Sequence, residues 1–174
     1  MTPASGRSTT LKTPCPIMSP GCGGMTASPP HPDSPARATE STSEGQTVLE
    51  PKVRRLLEGT AVAHLATVLP DGSPHCVPVF VGTEGDRVVI FTGPDSRKAR
   101  NLRRDPRVAL SLAPPDNPFS PVIVRGRVTE WLDGDAAWQI VDRIATRYIG
   151  RPYPRDQERV VAFIEPSVQR VGMS

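Results

Sequence analysis

The chain has 174 residues, 37% of them hydrophobic, 22% charged and 5% aromatic, with a formal net charge of +3. That length suits one ordinary domain with little left over, and the charge is too weak to mark a nucleic-acid binder by itself. Without an apolar run near the roughly 18 residues of a membrane span or an apolar run after a basic N-terminus, and with only three cysteines, the composition speaks against a membrane protein, a disulfide-stapled secreted domain or a coiled coil, and for a reducing cytoplasm.

Composition changes sharply near Thr47. Residues 1–47 hold 8 of the 21 prolines, 15 Ser/Thr and no Phe, Tyr or Trp. Such a segment cannot bury enough apolar surface to offset an ordering entropy of roughly 1–2 kcal/mol per residue, so it is expected to be a disordered tail. Cys15, Cys22 and His31 lie in it at a spacing that fits no closed zinc motif, and no metal is expected. Met18 and Met25 offer later starts, so part of the tail is expected to be missing from the natural protein. The folded domain is expected over residues 48–174.

Within that domain Leu49, Val53, Leu56 and Leu57 recur at helical spacing, with Thr47 as the expected N-cap and Gly59 as the stop. Ala61–Leu69 reads as a strand closed by the turn Pro70-Asp71-Gly72-Ser73. Pro74–Val81 reads as a second strand, Thr83–Asp86 as a turn and Arg87–Thr92 as a third strand, which together make a meander. Ser96–Arg104 is helical in composition and stops before Pro106. Val108–Leu112 and the alternating Val122–Leu132 are strands on either side of the proline-rich loop Pro114–Pro121. A helix capped by Asp133 or Asp135 carries Ala137, Val141, Ile144, Ala145 and Tyr148 at 3.6-residue spacing, breaks over Gly150–Pro154, and leads to a last strand, Val160–Ile164. Hairpin-linked strands with few helices predict a mainly β (α+β) fold, a small antiparallel barrel with flanking helices.

Six basic groups and one acid fall within the eleven residues Arg97–Arg107. A charge run is most often a solvated helix face, but this one opens directly after a strand and a Gly93-Pro94 turn. Ser96, Arg97 and Lys98 thus stand at a helix N-terminus, where free amides and the macrodipole favour an anion. Arginine offers a planar fork and lysine a point charge, a pairing suited to a phosphate, and Thr92 at the strand end is placed to bond a polyol leading away from it. The cluster contains no aromatic residue for base stacking, which speaks against a nucleic-acid module. His75 and Cys76 are neighbours on a strand and therefore point to opposite faces, a poor geometry for a thiolate–imidazole pair.

The stretch from Phe91 through Ser96-Arg97-Lys98 to Leu102, continued by Asp105-Pro106-Arg107-Val108-Ala109-Leu110, closely resembles the cofactor-phosphate segment of the pyridoxamine-phosphate-oxidase-like split β-barrels. His64-Leu65-Ala66-Thr67 with its Asp71-Gly72 turn, and Val124–Val128, resemble the same superfamily, so the likeness spans about residues 48–172. It implies an FMN-binding type of split barrel, a homodimer with the cofactor at the subunit interface, and no membrane or nucleic-acid partner. On that resemblance Ser96, Arg97 and Lys98 hold the phosphate and Thr92 the ribityl chain. The backbone of Val77, Pro78, Val79 and Phe80, on the neighbouring strand, faces the ring edge.

This chain has Cys76 where the true pyridoxamine phosphate oxidases place an FMN-contacting arginine. It also ends at Gln169–Ser174 without their basic, His-containing segment. The continuation Asn101–Arg107 resembles instead the branch that uses the deazaflavin coenzyme F420, whose anionic tail suits the surplus arginines Arg100 and Arg103. The function expected is hydride transfer from reduced F420 to an electron-poor small organic acceptor. FMN-dependent redox chemistry and a non-catalytic cofactor-binding protein are the alternatives. No side chain stands out as a required acid or base.

Overall fold

The computed structural model describes residues 48–172; the expectations for the N-terminal tail lie outside them, while the first helix starts at Pro51 with Glu50, not Thr47, at its N-cap position. Three helices and seven strands follow in the order α1 (Pro51–Leu57), β1 (Ala63–Val68), β2 (Pro74–Val79), β3 (Val81–Glu84), β4 (Arg87–Thr92), α2 (Arg97–Arg104), β5 (Arg107–Leu112), β6 (Val122–Leu132), α3 (Gly134–Ile149) and β7 (Val160–Val171). The strands form one antiparallel sheet in the order β2-β1-β5-β6-β7-β4-β3. β2 and β3 are its opposite edges, yet only Phe80 separates them in the chain. A flat seven-stranded sheet would hold its edges about 28 Å apart at the usual 4.7 Å spacing, so the sheet must curl until they meet. The result is the mainly β split barrel with flanking helices that the strand pattern predicts.

Three expectations about the strands change, the first being that Thr83 and Glu84 belong to β3 and the turn shrinks to Gly85-Asp86. The run Pro74–Val81 is not one strand but two, and the register passes from the β1 ladder to the β4 ladder at Phe80. In consequence Val77–Phe80 do not lie on a strand hydrogen-bonded to β4, whose partners are β3 and β7; they approach it across the seam where the edges meet. The last strand runs past the expected end at Ile164 to Val171, with Pro166 accommodated at an irregularity beside Gly126. There the β6 backbone and the carbonyl of Glu165 approach so closely that a Cβ on Gly126 would stand 2.2 Å from that oxygen.

Alternate side chains of the curled sheet fill its interior. Leu65, Val88, Ile90, Leu110, Val124 and Ile164 are buried there, with Val53 and Leu57 of α1 and Leu102 of α2 closing the core. A second apolar layer lies outside β4 and β7, where Val89, Phe91, Val161 and Phe163 pack against Ala137, Ile140, Val141 and Ile144 of α3. β4 is therefore buried on both faces, which explains its uninterrupted apolar sequence. Each large aliphatic side chain so buried contributes roughly 1.5–3 kcal/mol, far more than the exposed ion pairs on the surface.

The end of α3 locks the seam. Tyr148 stacks on Phe80 at 4.3 Å between ring centroids and donates to the Ala61 carbonyl at 2.8 Å, while Arg147 donates to the carbonyls of Val81 and Leu57. The helix then ends on Gly150, whose φ of 72° is the left-handed conformation of a helix C-cap. Among the described residues no helix is long and apolar enough to cross a membrane.

Candidate functional site

β4 ends at Thr92, and Gly93–Ser96 turn the chain into α2. The Ser96 N–H donates to the Gly93 carbonyl at 3.1 Å, closing the turn. The Ser96 hydroxyl caps the helix by accepting from the Ala99 N–H at 3.2 Å, and lies 2.8 Å from the hydroxyl of the buried Thr92. With Thr92 donating, Ser96 Oγ accepts two hydrogen bonds and its own proton is left to donate outward. Two arginines of α2 brace the same turn from behind. Arg100 donates to the Asp95 carbonyl, and Arg103 donates to the Pro94 carbonyl at 2.7 Å while lying over the Trp131 ring. Further along, Arg104 bonds the Val68 carbonyl, and Arg107 pairs with Asp105 at 2.6 Å.

Most of the basic cluster is thus structural, and two cations stand apart. Among the described residues neither Arg97 nor Lys98 has an ion-pair or hydrogen-bond partner; Arg97 is exposed and Lys98 half-buried. Burial, and then the positive charge of Arg159, hold the Lys98 ammonium below its usual pKa.

Lys98 stands where two clefts meet. The larger, about 640 Å³, is walled by Thr92, Ser96 and Lys98 on one side and by Tyr153, Glu158 and Arg159 on the other. The smaller, about 260 Å³, is apolar, built from Val62, Pro78, Val79 and Phe80, and shares Phe91, Lys98 and Tyr153 with the first. Its floor is an aromatic cluster, with Phe80 edge-on to Phe91 at 6.3 Å and Phe91 edge-on to Tyr153 at 5.0 Å. Of the residues nominated from sequence, Thr92, Ser96 and Lys98 come together in the polar cleft, and Pro78, Val79 and Phe80 in the apolar one. Three line neither: Arg97 and Arg100 are exposed on α2, and Val77 packs its side chain toward the barrel core. The Cys76 thiol is exposed and free, while His75 meets Thr67 across the β1–β2 ladder at 3.4 Å.

Sequence reasoning missed the far wall, Tyr153 to Arg159. The break after α3 reads as a bare connection, but antiparallel pairing sets Val160 opposite Thr92 and so brings the residue before β7 beside Gly93. A basic residue heading the strand that pairs with β4 is the signal, legible only once that pairing is known.

The electrostatics carry a testable pH dependence. An anion at Lys98 stabilises the ammonium and raises its pKa, so binding takes up a proton between the depressed free value and the restored bound one. Anion affinity is therefore expected to level off below the depressed free value and to fall as pH rises from there toward 10.5, the ordinary lysine value. Isothermal titration in buffers of different ionisation enthalpy checks this, and Lys98→Arg should abolish the fall.

The sequence model of the Pyridoxamine 5'-phosphate oxidase family matches residues 49–170, while no curated protein matches the sequence. Among solved structures, an F420 reductase is 29% identical with a TM-score of 0.60, covering 67% of this chain and 94% of its own. A conserved hypothetical protein of Mycobacterium tuberculosis is 26% identical with a TM-score of 0.58, covering 72% and 85%. A putative pyridoxamine 5'-phosphate oxidase of Listeria innocua, 21% identical, shares the fold with a TM-score of 0.56 over 69% and 94%. With the barrel, the turn and the family match over nearly all of its described residues, the chain belongs to the pyridoxamine 5'-phosphate oxidase-like split-barrel superfamily, a group of oxidoreductases built around flavin-type cofactors.

Proposed function

We propose that this protein is a cytoplasmic, F420-dependent oxidoreductase acting as a homodimer, with residues 48–174 as the cofactor-binding unit. The observation that carries the reading is the paired cleft: a polar chamber beside an apolar, aromatic-floored one, with an unpaired, half-buried lysine at their junction. A phosphorylated cofactor with a flat ring has the same division. Thr92, Ser96 and Lys98 would hold its polyol and phosphate, with the Val77–Phe80 segment and Phe91 beside the ring. Arg97, exposed on the adjoining helix face, suits the longer anionic tail of F420, and Arg100 beside it adds positive charge while it bonds the Asp95 carbonyl. The likeness to an F420 reductase at 29% identity supports the deazaflavin over FMN.

When bound in reduced form, the deazaflavin supplies a hydride to an electron-poor small organic acceptor. The chain's own share is to bind, orient and exclude water. Lys98 neutralises the phosphate, the hydroxyl relay from Thr92 through Ser96 donates to it, and the aromatic floor keeps the ring side dry. Lys98 and Tyr153 are the titratable groups lining the apolar chamber; with Lys98 engaged by phosphate, the Tyr153 hydroxyl or solvent would supply any proton the acceptor takes up.

The test is a pair of fluorescence titrations of the full chain with F420 and with FMN. Micromolar or tighter binding of F420, with FMN at least tenfold weaker, is expected; the reverse order moves the protein to FMN chemistry. Tight binding without turnover of any acceptor in a screen with reduced coenzyme would leave a cofactor carrier.

A further inference from the structure

Arg159 stands opposite Lys98 across the Gly93–Ser96 turn. It is the last residue before β7, and its Nη1 lies 3.8 Å from where a Cβ on Gly93 would sit, so the guanidinium overhangs the turn itself. Among the described residues every hydrogen bond it makes is to a neutral acceptor: Nη1 to the Glu158 carbonyl at 2.8 Å and to Gln157 Oε1 at 3.2 Å, Nη2 to the Tyr153 hydroxyl at 3.4 Å. Its guanidinium also lies over the Tyr153 ring, 4.9 Å from the centroid. Among the described residues no carboxylate pairs with Arg159 or with Lys98. Two unneutralised cations facing one cleft repel each other, an arrangement that an anion between them would relieve.

The segment bearing Arg159 is held in advance. Asp142 of α3 accepts from the Tyr153 N–H at 3.1 Å and from Arg155 at 2.6 Å, and Arg155 lies 3.9 Å over the Trp138 ring. Tyr153 then rests edge-on against Phe91. Both arms of the cleft are thus positioned by packed elements, Lys98 by α2 and Arg159 by a segment moored to α3.

We propose that Arg159 is the second cationic arm of the anion site, gripping the cofactor phosphate opposite Lys98 and setting the preference for phosphorylated over unphosphorylated cofactors. The proposal rests on reading the cleft as a cofactor site. A guanidinium supplies a fork of parallel N–H donors that an ammonium lacks, so Arg159 fixes the phosphate's orientation while Lys98 supplies point charge.

The full chain, Arg159→Gln and Arg159→Lys are titrated with F420 and FMN, and with their unphosphorylated counterparts, the bare deazaflavin chromophore and riboflavin; melting of each variant and the response to inorganic pyrophosphate are recorded alongside. Arg159→Gln should weaken the phosphorylated cofactors roughly 10- to 150-fold, the value of a charge-assisted hydrogen bond, and the unphosphorylated ones less than threefold. Arg159→Lys should restore part of the loss. Equal affinity of Arg159→Gln and the parent for phosphorylated cofactor, or an equal loss for both kinds, overturns the proposal and leaves Arg159 a packing residue. If the parent binds no flavin or deazaflavin, the cofactor reading fails separately. In that case a pyrophosphate-induced rise in melting temperature that disappears in Arg159→Gln sustains the anion arm, and the absence of any rise removes it.

Discussion

Lys98→Ala is expected to weaken cofactor binding by roughly 10- to 150-fold, from the loss of a charge-assisted phosphate contact of about 1.5–3 kcal/mol. The fold should not notice. Lys98 has no hydrogen-bond or ion-pair partner among the described residues, and its charge is disfavoured both by burial and by Arg159. Substitutions of that kind stay within about 0.5 kcal/mol, so melting should shift by no more than about 2 °C. This separation between binding and stability distinguishes Lys98 from its neighbours. Arg100 and Arg103 bond the carbonyls of Asp95 and Pro94, and losing either loosens the turn along with any ligand. Fluorescence titration and thermal melting of the same preparation check both halves; unchanged affinity would remove the phosphate reading of the turn.

Gly126→Ala is expected to have the largest effect on stability. The new methyl group would stand 2.2 Å from the Glu165 oxygen and 3.1 Å from the Pro166 Cα, both backbone atoms that no rotamer change can move. Overpacking usually costs about 1–3 kcal/mol, and a backbone-on-backbone clash belongs at the upper end, near 3 kcal/mol or a fall of roughly 10 °C in melting temperature. A melt within 2 °C of the parent would mean that β6 and β7 part easily there. In that event the irregularity beside Pro166 is not the fixed point of the ladder.

How much of this was legible in the sequence depends on which physical rule decides each element. Alternation along Val122–Leu132 and the apolar spacing of the last helix reflect one-sided burial, which sequence records residue by residue. The division of Pro74–Val81 is different: Phe80 keeps the strand composition on both sides, and only the identity of the pairing partner changes. The length of β7 is hidden for another reason, since Pro166, of a residue type that normally ends a strand, is absorbed where Gly126 lets the ladder deform. At the site, Ser96 and Lys98 were readable because a strand, a turn and a helix start are local features. Arg159 lies some sixty residues away from them, and its arrival depends on one antiparallel register. The roles of Arg100 and Arg103 were hidden for a related reason, because a basic residue that braces a carbonyl and one that waits for a ligand have the same letter.

The single-residue link at Phe80 has a consequence for how the chain reaches this structure. β1 with β2, and β3 with β4, are hairpins of short sequence separation, so each can zip early from local contacts. Joined back to back at Phe80, they travel as one four-strand unit whose free ladders, β1 and β4, point away from each other. The rest of the chain must then bridge that unit the long way round: β5 adds to β1, β7 adds to β4, and β6 closes the circle between them. Of these ladders β4–β7 joins the strands farthest apart in the chain, so it is expected to form late. That same long-range pairing sets Arg159 beside the turn, so the cleft shared by Lys98 and Arg159 depends on the ladder of longest sequence separation.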